Sequence, residues 1–173
     1  MKNFFVIFII FFFTLFGNAY PENTIAIVNI DYILENSLAG KSIKSKISKI
    51  SKDNQKYFKE KESSLKKKED DLLKQKNVLS KEEFNKNVNL FKKEINVFRK
   101  DKLIKINKLK NIQIKSINEL LKQLSPLVAQ FAKDNNISTV IDKKYTVVSK
   151  VETDITKKII IILDKKVKKI NIK

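Results

Sequence analysis

The side chains in this sequence that can do chemistry are almost all charged. The 173 residues include 37 Lys or Arg and 19 Asp or Glu, for a net charge of +18, and no His, Cys or Trp. Catalysis by a thiol or an imidazole, and a zinc site built from the usual ligands, are therefore excluded. The two glycines, Gly17 and Gly40, are too few for a glycine-rich phosphate loop. The residue types favour a binding protein over an enzyme, and they predict no cofactor, metal or catalytic residue.

The positive charge is concentrated in the middle of the chain. Residues 37–134 hold 26 Lys or Arg and 12 Asp or Glu, whereas the flanks, 20–36 and 135–173, together hold 10 and 7. The carboxylates are scattered among lysines and are not paired in an apolar setting that would shift a pKa. Such a surface attracts an acidic partner and accelerates its encounter.

The first residues, MKNFFVIFIIFFFTLFGNAY, have the pattern of a secretory signal peptide. Lys2 precedes an apolar block at 4–16, whose 13 residues would span roughly 20 Å as a helix, short of the roughly 30 Å hydrocarbon core of a membrane. Gly17 and Ala19 supply small residues at −3 and −1 of a cleavage between Ala19 and Tyr20. We expect cleavage there, export and release, and the resemblance described below implies the periplasm as the destination. The alternative is a retained N-terminal anchor.

The middle of the chain predicts two long helices. From Ser37 to about Val78 the apolar residues follow a narrow helical seam that suits a coiled coil. Its members are Ile43, Ile47, Ile50, Tyr57, Phe58, Leu65, Leu72 and Leu79. Ser80 and Glu83 then form a capping box, so a second helix is expected to begin at about Lys81.

The second helix carries a regular heptad pattern. Its apolar residues are Phe84, Val88, Phe91, Ile95 and Phe98, followed by Ile106, Leu109, Ile117, Leu120, Leu124, Val128 and Phe131. Pro126 should bend this helix or remove a hydrogen bond, and residues 134–136, Asp-Asn-Asn, suit its end. The two helices would form an antiparallel hairpin on the order of 60–75 Å long. A three-helix bundle is the alternative, but it requires a helix that is apolar on two faces.

β-branched runs flank the hairpin. IAIVNID (25–31) precedes it, and ISTVID (137–142) and YTVVS (145–149) follow it. Because a lone strand cannot satisfy its own backbone groups, the first run is predicted to pair with the later ones. Asp154, after Thr153, would cap a final amphipathic helix over about 155–167. The predicted fold class is α+β, with a long antiparallel helical hairpin inserted in a small β-body.

This order of strand, long hairpin, two strands and helix resembles the Skp/OmpH family of periplasmic chaperones over residues 25–167. The most specific parts are IAIVNID and the closing block ISTVID, YTVVS and TDITKKI. The resemblance implies a jellyfish-like homotrimer, in which strands of three chains form a β-body and three hairpins surround a cavity. The domains would be a signal peptide (1–19), a trimerisation body (20–36 and 135–173) and a hairpin arm (37–134).

The resemblance also implies an activity and its partners. The protein would hold unfolded outer-membrane proteins without ATP and shield them from aggregation before outer-membrane assembly. Trimerisation would bury the apolar body residues Ile25, Ile27, Ile30, Val140, Ile141 and Val147 and close the sheet edges. Some members of that family are proposed to bind lipopolysaccharide through a basic cluster. The nearest counterpart here, for lipopolysaccharide or another anionic lipid, is Arg99, Lys100 and Lys102.

Two other classes stay open at the level of sequence. A basic, histone-like protein would use the positive helices to bind phosphate. The signal peptide and the lack of an arginine cluster or an aromatic stacking platform argue against nucleic acid as the physiological partner. A structural coiled-coil spacer between envelope layers is the other alternative, and it needs an anchor or a partner domain at one end.

Overall fold

The computed structural model describes residues 24–171. In chain order the elements are β1 (Ile25–Val28), α1 (Ile30–Asn36), α2 (Leu38–Gln75), α3 (Lys81–Asp134), β2 (Thr139–Asp142) and α4 (Thr156–Lys166). Two short 3-10 turns, Lys143–Tyr145 and Val151–Thr153, lie between β2 and α4. The predicted signal peptide and its cleavage site between Ala19 and Tyr20 lie outside the described residues.

Helices α2 and α3 form the predicted antiparallel hairpin. At its tip, Ser80 Oγ accepts a hydrogen bond from the Glu83 amide at 3.3 Å, and the Glu83 carboxylate accepts one from the Ser80 amide at 3.2 Å. The predicted capping box is therefore confirmed. Helix α3 continues through Pro126 and ends at Asp134, with Asn135 as its C-cap and the left-handed Asn136, at φ 54°, following it. Its 54 residues span about 80 Å, so the hairpin projects far from the strands.

The seam between the two helices is half-buried. No side chain between residues 44 and 115, which we call the outer hairpin, is fully buried. The predicted seam residues between 47 and 98 are all partly buried, whereas Ile106 is 47% exposed. A two-helix contact covers only one side of each helix, so most of the outer hairpin surface faces water.

Strand β1 makes backbone contacts along both of its edges. Strand β2 pairs with it in parallel, with Ile27 opposite Ile141. On the other edge of β1, the Ile155 amide donates to the Ile27 carbonyl at 2.9 Å. The predicted pairing of the first run with the chain after the hairpin is thus confirmed. Parallel strands need a long crossover connection, and the hairpin supplies it.

The first predicted strand is shorter than expected. It ends at Val28, because Asn29 begins a helix: the Asn29 Oδ1 accepts a hydrogen bond from the Tyr32 amide at 2.9 Å. The residues NID therefore belong to the start of α1 and not to the strand. Sequence reasoning missed this cap because the β-branched run continues through Ile30.

The prediction of a strand at 145–149 is wrong for the single chain. Asp142 accepts a hydrogen bond from the Lys144 amide at 3.4 Å and begins a 3-10 turn there. Beyond the turn, Val147 is 100% exposed, so it is not a buried body residue within one chain. β-branched residues favour a strand only where a neighbouring edge supplies hydrogen bonds and packing. Within residues 24–171 this segment pairs with no strand.

One buried apolar cluster joins β1 to all four helices. Its members are Ala26, Val28, Ile33, Ala39, Ile43, Leu120, Leu124, Leu127, Ile155, Ile159, Leu163 and Ile170. We call this cluster, the two strands, α1 and α4 the body. The ends of α2 and α3 nearest the strands contribute to the cluster, so the hairpin is built into the body and does not hang from linkers.

Candidate functional site

The described part of the chain offers surfaces for binding. Within residues 24–171, no group of three or more His, Cys, Asp or Glu is placed to hold a metal ion. In the same range, no helix combines the length and apolar character needed to span a membrane. The surfaces with distinctive chemistry are the outer hairpin and one loop of the body.

Several large apolar side chains of the outer hairpin face water. Three of them, Leu90, Val97 and Ile104, are 55%, 67% and 64% exposed and follow one another at intervals of seven residues along α3. Such spacing places them on one side of the helix, in a line about 21 Å long. We call these three residues the apolar row. They do not belong to the seam, which follows a different set of heptad positions that includes Phe91 and Phe98.

Ion pairs connect the two helices of the outer hairpin. Lys68 contacts Glu94 at 2.7 Å, and Lys102 contacts Glu62 at 2.8 Å. Exposed pairs of this kind contribute little stability, about 0–1 kcal/mol each. They show which residues of α2 and α3 face each other. The hairpin remains strongly positive, because residues 37–134 hold 26 Lys or Arg and only 12 Asp or Glu.

An aromatic cluster lies near the middle of the hairpin. The rings of Phe58 and Phe98 meet edge to face, with their centroids 6.3 Å apart. The Lys102 ammonium lies 5.2 Å and 5.9 Å from the centroids of these two rings. Tyr57 lies directly before Phe58 and forms a hydrogen bond with the Asp101 carboxylate. This hydrogen bond, burial of the Tyr57 ring and the negative charge of Asp101 all raise the pKa of Tyr57. These cross-helix contacts hold α2 and α3 in register.

The three residues of the predicted anion cluster lie on one turn of α3 but in different surroundings. Lys102 lies against the seam, paired with Glu62 and stacked on the aromatic rings. Arg99 and Lys100 are exposed. Anion binding by Arg99, Lys100 and Lys102 stays a prediction.

The predicted trimer-body residues differ in how far one chain buries them. Ile27 is buried at 4% exposure, whereas Ile25 and Val147 are 47% and 100% exposed. Ile30, Val140 and Ile141 are partly buried. Their role in trimerisation stays a prediction. The residues that sequence reasoning missed as core members, Ala26 and Val28, lie between the predicted ones on the same strand.

A loop on the body carries the most exposed apolar group of the described chain. Tyr145, Val147, Val148 and Val151 are between 76% and 100% exposed. We call residues 145–151 the apolar loop. Four large apolar side chains exposed within seven residues make this loop a candidate interaction surface. The sequence predicts a strand over 145–149, because β-branched residues are typical of strands, with Val147 buried by trimerisation.

The comparisons with known proteins agree with this architecture. The chain is similar to a solved structure described as an OmpH-like outer membrane chaperone from Caulobacter crescentus CB15. The TM-score is 0.80, the match covers 90% of each chain, and the sequence identity is 15%. At that identity the likeness shows the fold alone. No protein of curated function matches the chain by sequence.

The family comparison covers most of the chain. The model of the OmpH-like outer membrane proteins matches residues 24–163, a range that contains both strands, the whole hairpin and most of α4. This match confirms the resemblance found from the strand, hairpin and strand order. The chain belongs to the OmpH-like outer membrane protein family.

Proposed function

We propose that the protein is an ATP-independent holdase chaperone, which binds unfolded outer-membrane proteins and keeps them from aggregating before membrane assembly. The observation that carries this proposal is the outer hairpin, a long positive element with no fully buried side chain and an exposed apolar row. Membership of the OmpH-like family supports the chaperone class.

The chemistry of the outer hairpin suits holding without trapping. Burial of apolar surface contributes roughly 25 cal/mol per Å², so each half-exposed side chain of the apolar row adds on the order of 1 kcal/mol when a client covers it. Contacts of that size are individually reversible and become effective through their number. The positive field of the lysines draws an acidic client in before the apolar contacts form.

The proposal includes a homotrimer whose three hairpins surround the client. Two surfaces of the body support it, namely the outer edge of β2, which has no strand partner within residues 24–171, and the apolar loop. A ring closes when each chain offers one such surface and receives the other. Association would cover the apolar loop and remove an open sheet edge.

The proposed location is the periplasm. Its support is the sequence of residues 1–19, which has the charge, apolar block and small residues of a cleaved signal peptide. The mature chain would then begin at Tyr20. This location places the protein between the inner membrane, where the clients emerge, and the outer membrane, where they assemble.

The test is suppression of aggregation by residues 20–173. A urea-unfolded outer-membrane protein is diluted into buffer with the chaperone and no nucleotide, and light scattering is followed. We expect the wild-type protein to suppress scattering. The triple variant Leu90→Ser, Val97→Ser and Ile104→Ser should lose most of that protection because the apolar row is gone.

A matched control also introduces three serines on α3, but at exposed polar positions outside the apolar row. The triple variant Asn89→Ser, Asn96→Ser and Asn107→Ser changes three exposed polar positions of the same helix. It should protect the client as well as the wild type does. Absence of protection by the wild-type protein would overturn the holdase proposal, and equal loss in both triple variants would overturn the role of the apolar row.

A further inference from the structure

The root of the hairpin, where α2 begins, is held by a residue from the other end of the chain. Leu38 is the first residue of α2, and its amide donates a hydrogen bond to Asp164 Oδ1 at 2.8 Å. Asp164 lies on α4, 126 residues further along the chain. The first amides of a helix have no partner within it. Here the Ser37 hydroxyl accepts from the Gly40 amide at 3.0 Å, and Asp164 accepts from Leu38.

The elbow between α1 and α2 is closely packed around this contact. Ser37, the single residue between the two helices, is 0% exposed, with φ −69° and ψ 156°. A Cβ at Gly40 would overlap the carbonyl oxygen of Leu34, so the backbones of α1 and α2 touch. Small rotations of α2 about the elbow would therefore change contacts in the core.

The partner helix is firmly anchored. Leu163, next to Asp164, and Ile159, one turn earlier, are both 0% exposed in the core. Further along the chain, the Ile170 amide lies 3.4 Å from Ser42 Oγ on the second turn of α2. The root of α2 is thus held at two points by the C-terminal part of the chain.

The two helices of the hairpin join the body in different ways. Helix α3 passes from the outer hairpin into the body without interruption and is held by buried side chains such as Leu120 and Leu124. Helix α2 starts at the root, so its direction depends on the contacts of its first turns, where Ala39, Gly40 and Ile43 are buried, and on its packing against α3 along the seam. The carboxylate of Asp164 is well suited to this position because negative charge is favourable at a helix N-terminus.

We propose that Asp164 is a positioning residue, an acceptor supplied by α4 for the first amide of α2, which helps to set the direction in which α2, and with it the hairpin, leaves the body. This role goes beyond the holdase activity and requires neither a client nor a trimer. It adds one long-range hydrogen bond to the buried contacts of Ala39 and Ile43 that hold the root of α2.

The first test is amide hydrogen exchange of residues 20–173, resolved by residue. Asp164→Ala removes both the acceptor and the charge, and we expect the Leu38 amide and the first turn of α2 to exchange roughly fivefold faster or more. Asp164→Asn keeps an acceptor oxygen and should give a smaller increase. The control Glu152→Ala removes an exposed carboxylate from the body and should leave α2 unchanged.

The second test measures direction. The chain has no cysteine, so spin labels at Lys67→Cys on α2 and Lys157→Cys on α4, both exposed positions, report a single distance when diluted with unlabelled protein. We expect a broader or shifted distance distribution in Asp164→Ala than in the wild type. The distance distribution of Asp164→Asn should be intermediate between those of the wild type and Asp164→Ala. If Asp164→Ala does not fold, the comparison of Asp164→Asn with the wild type is the test.

Two results would overturn this role. One is exchange at Leu38 and a distance distribution that match the wild type in both Asp164 variants. The other is an equal rise of exchange throughout the body with an unchanged distance distribution, which indicates general destabilisation. Neither readout involves a client, so either result leaves the holdase proposal standing, and a failed aggregation assay leaves the positioning role standing.

Discussion

Gly40 is a position of the hairpin root where a side chain has no room. An alanine normally stabilises a helix interior by about 1 kcal/mol relative to glycine. At Gly40 the added Cβ would overlap the backbone of Leu34, and backbone cannot move aside as a flexible side chain does. Overpacking of this kind costs about 1–3 kcal/mol, so the steric cost outweighs the propensity gain.

We therefore expect Gly40→Ala to lower the free energy of unfolding by up to about 2 kcal/mol, the difference between these two effects. Urea denaturation followed by circular dichroism measures it. Ser64→Ala, at an exposed position of the same helix, is the control and should be neutral or slightly stabilising. A Gly40→Ala protein as stable as the control would show that α1 can shift away from α2 at little cost.

The Glu83 cap at the tip should respond to pH. Hydrogen bonds from the Ser80 hydroxyl at 2.6 Å and the Ser80 amide at 3.2 Å lower the pKa of Glu83 below its ordinary value of 4.5. A carboxyl whose pKa is lower in the folded state stabilises that state above its ordinary pKa. The stabilisation is lost as the pH falls through the folded-state pKa.

The expected outcome is a local loosening of the first turn of α3 in acid. Amide exchange at residues 82–85, corrected for the intrinsic pH dependence of exchange, should accelerate as the pH falls below 4.5, ahead of the rest of α3. Glu83→Gln should remove this pH dependence, whereas Glu82→Gln, at the exposed neighbouring position, should retain it. An unchanged pH profile in Glu83→Gln would exclude Glu83 as its source.

At the scale of elements, the outer hairpin behaves as a stack of repeated heptads. The pairs Lys68–Glu94 and Glu62–Lys102 show which residues face each other across the seam. On that register, residues 65–71 lie opposite residues 91–97. Removing both segments together deletes one heptad from each helix and preserves every remaining pairing.

We expect this double deletion to shorten the hairpin by about 10 Å and to leave the body intact. Protection of a large client should fall more than protection of a small one, because less surface is available to cover it and the apolar row loses Val97. The deletion of 65–71 alone is the control, since it breaks the register and should lower the helix content. Equal protection of both client sizes by the double deletion would mean that hairpin length does not limit holding.

At the scale of the whole molecule, the body must hold a hairpin that adds little stability of its own. All of the fully buried apolar side chains in residues 24–171 belong to the body or to the ends of α2 and α3 next to it. The outer hairpin contributes none. Association of bodies through the apolar loop would add to this small core, because apolar surface removed from water stabilises in proportion to its area.

The double variant Val147→Asp and Val148→Asp tests that association. Both side chains are at least 87% exposed in the single chain, so the new charges should not disturb its own fold. We expect sedimentation to show a trimer for the wild type and a monomer for the variant, because unpaired charges would be buried at the interface. Ser64→Asp in the outer hairpin is the control for added charge. A trimer that survives the double variant would exclude the apolar loop as the interface.

The sequence by itself was sufficient for the features that depend on neighbouring residues. The heptads predicted the seam, and Ser80 with Glu83 predicted the start of α3, because helix periodicity and capping involve residues three to seven positions apart. Pairing of the two chain ends was also predictable, since the β-branched run at Ile25 had no other partner. Ile106 was predicted to lie in the seam but is 47% exposed. Periodicity alone could not exclude it, because two sets of apolar positions with helical spacing run along α3.

Only the tertiary structure decided which apolar side chains of α3 stay outside the seam. It left Ile106, Leu90, Val97 and Ile104 exposed to water. It also left residues 145–149 outside the sheet and brought Asp164 to the amide of Leu38. The physical reason is the same in each case. A strand needs an adjacent edge, and a cap from another element needs that element in place, so both depend on contacts between residues far apart in the chain.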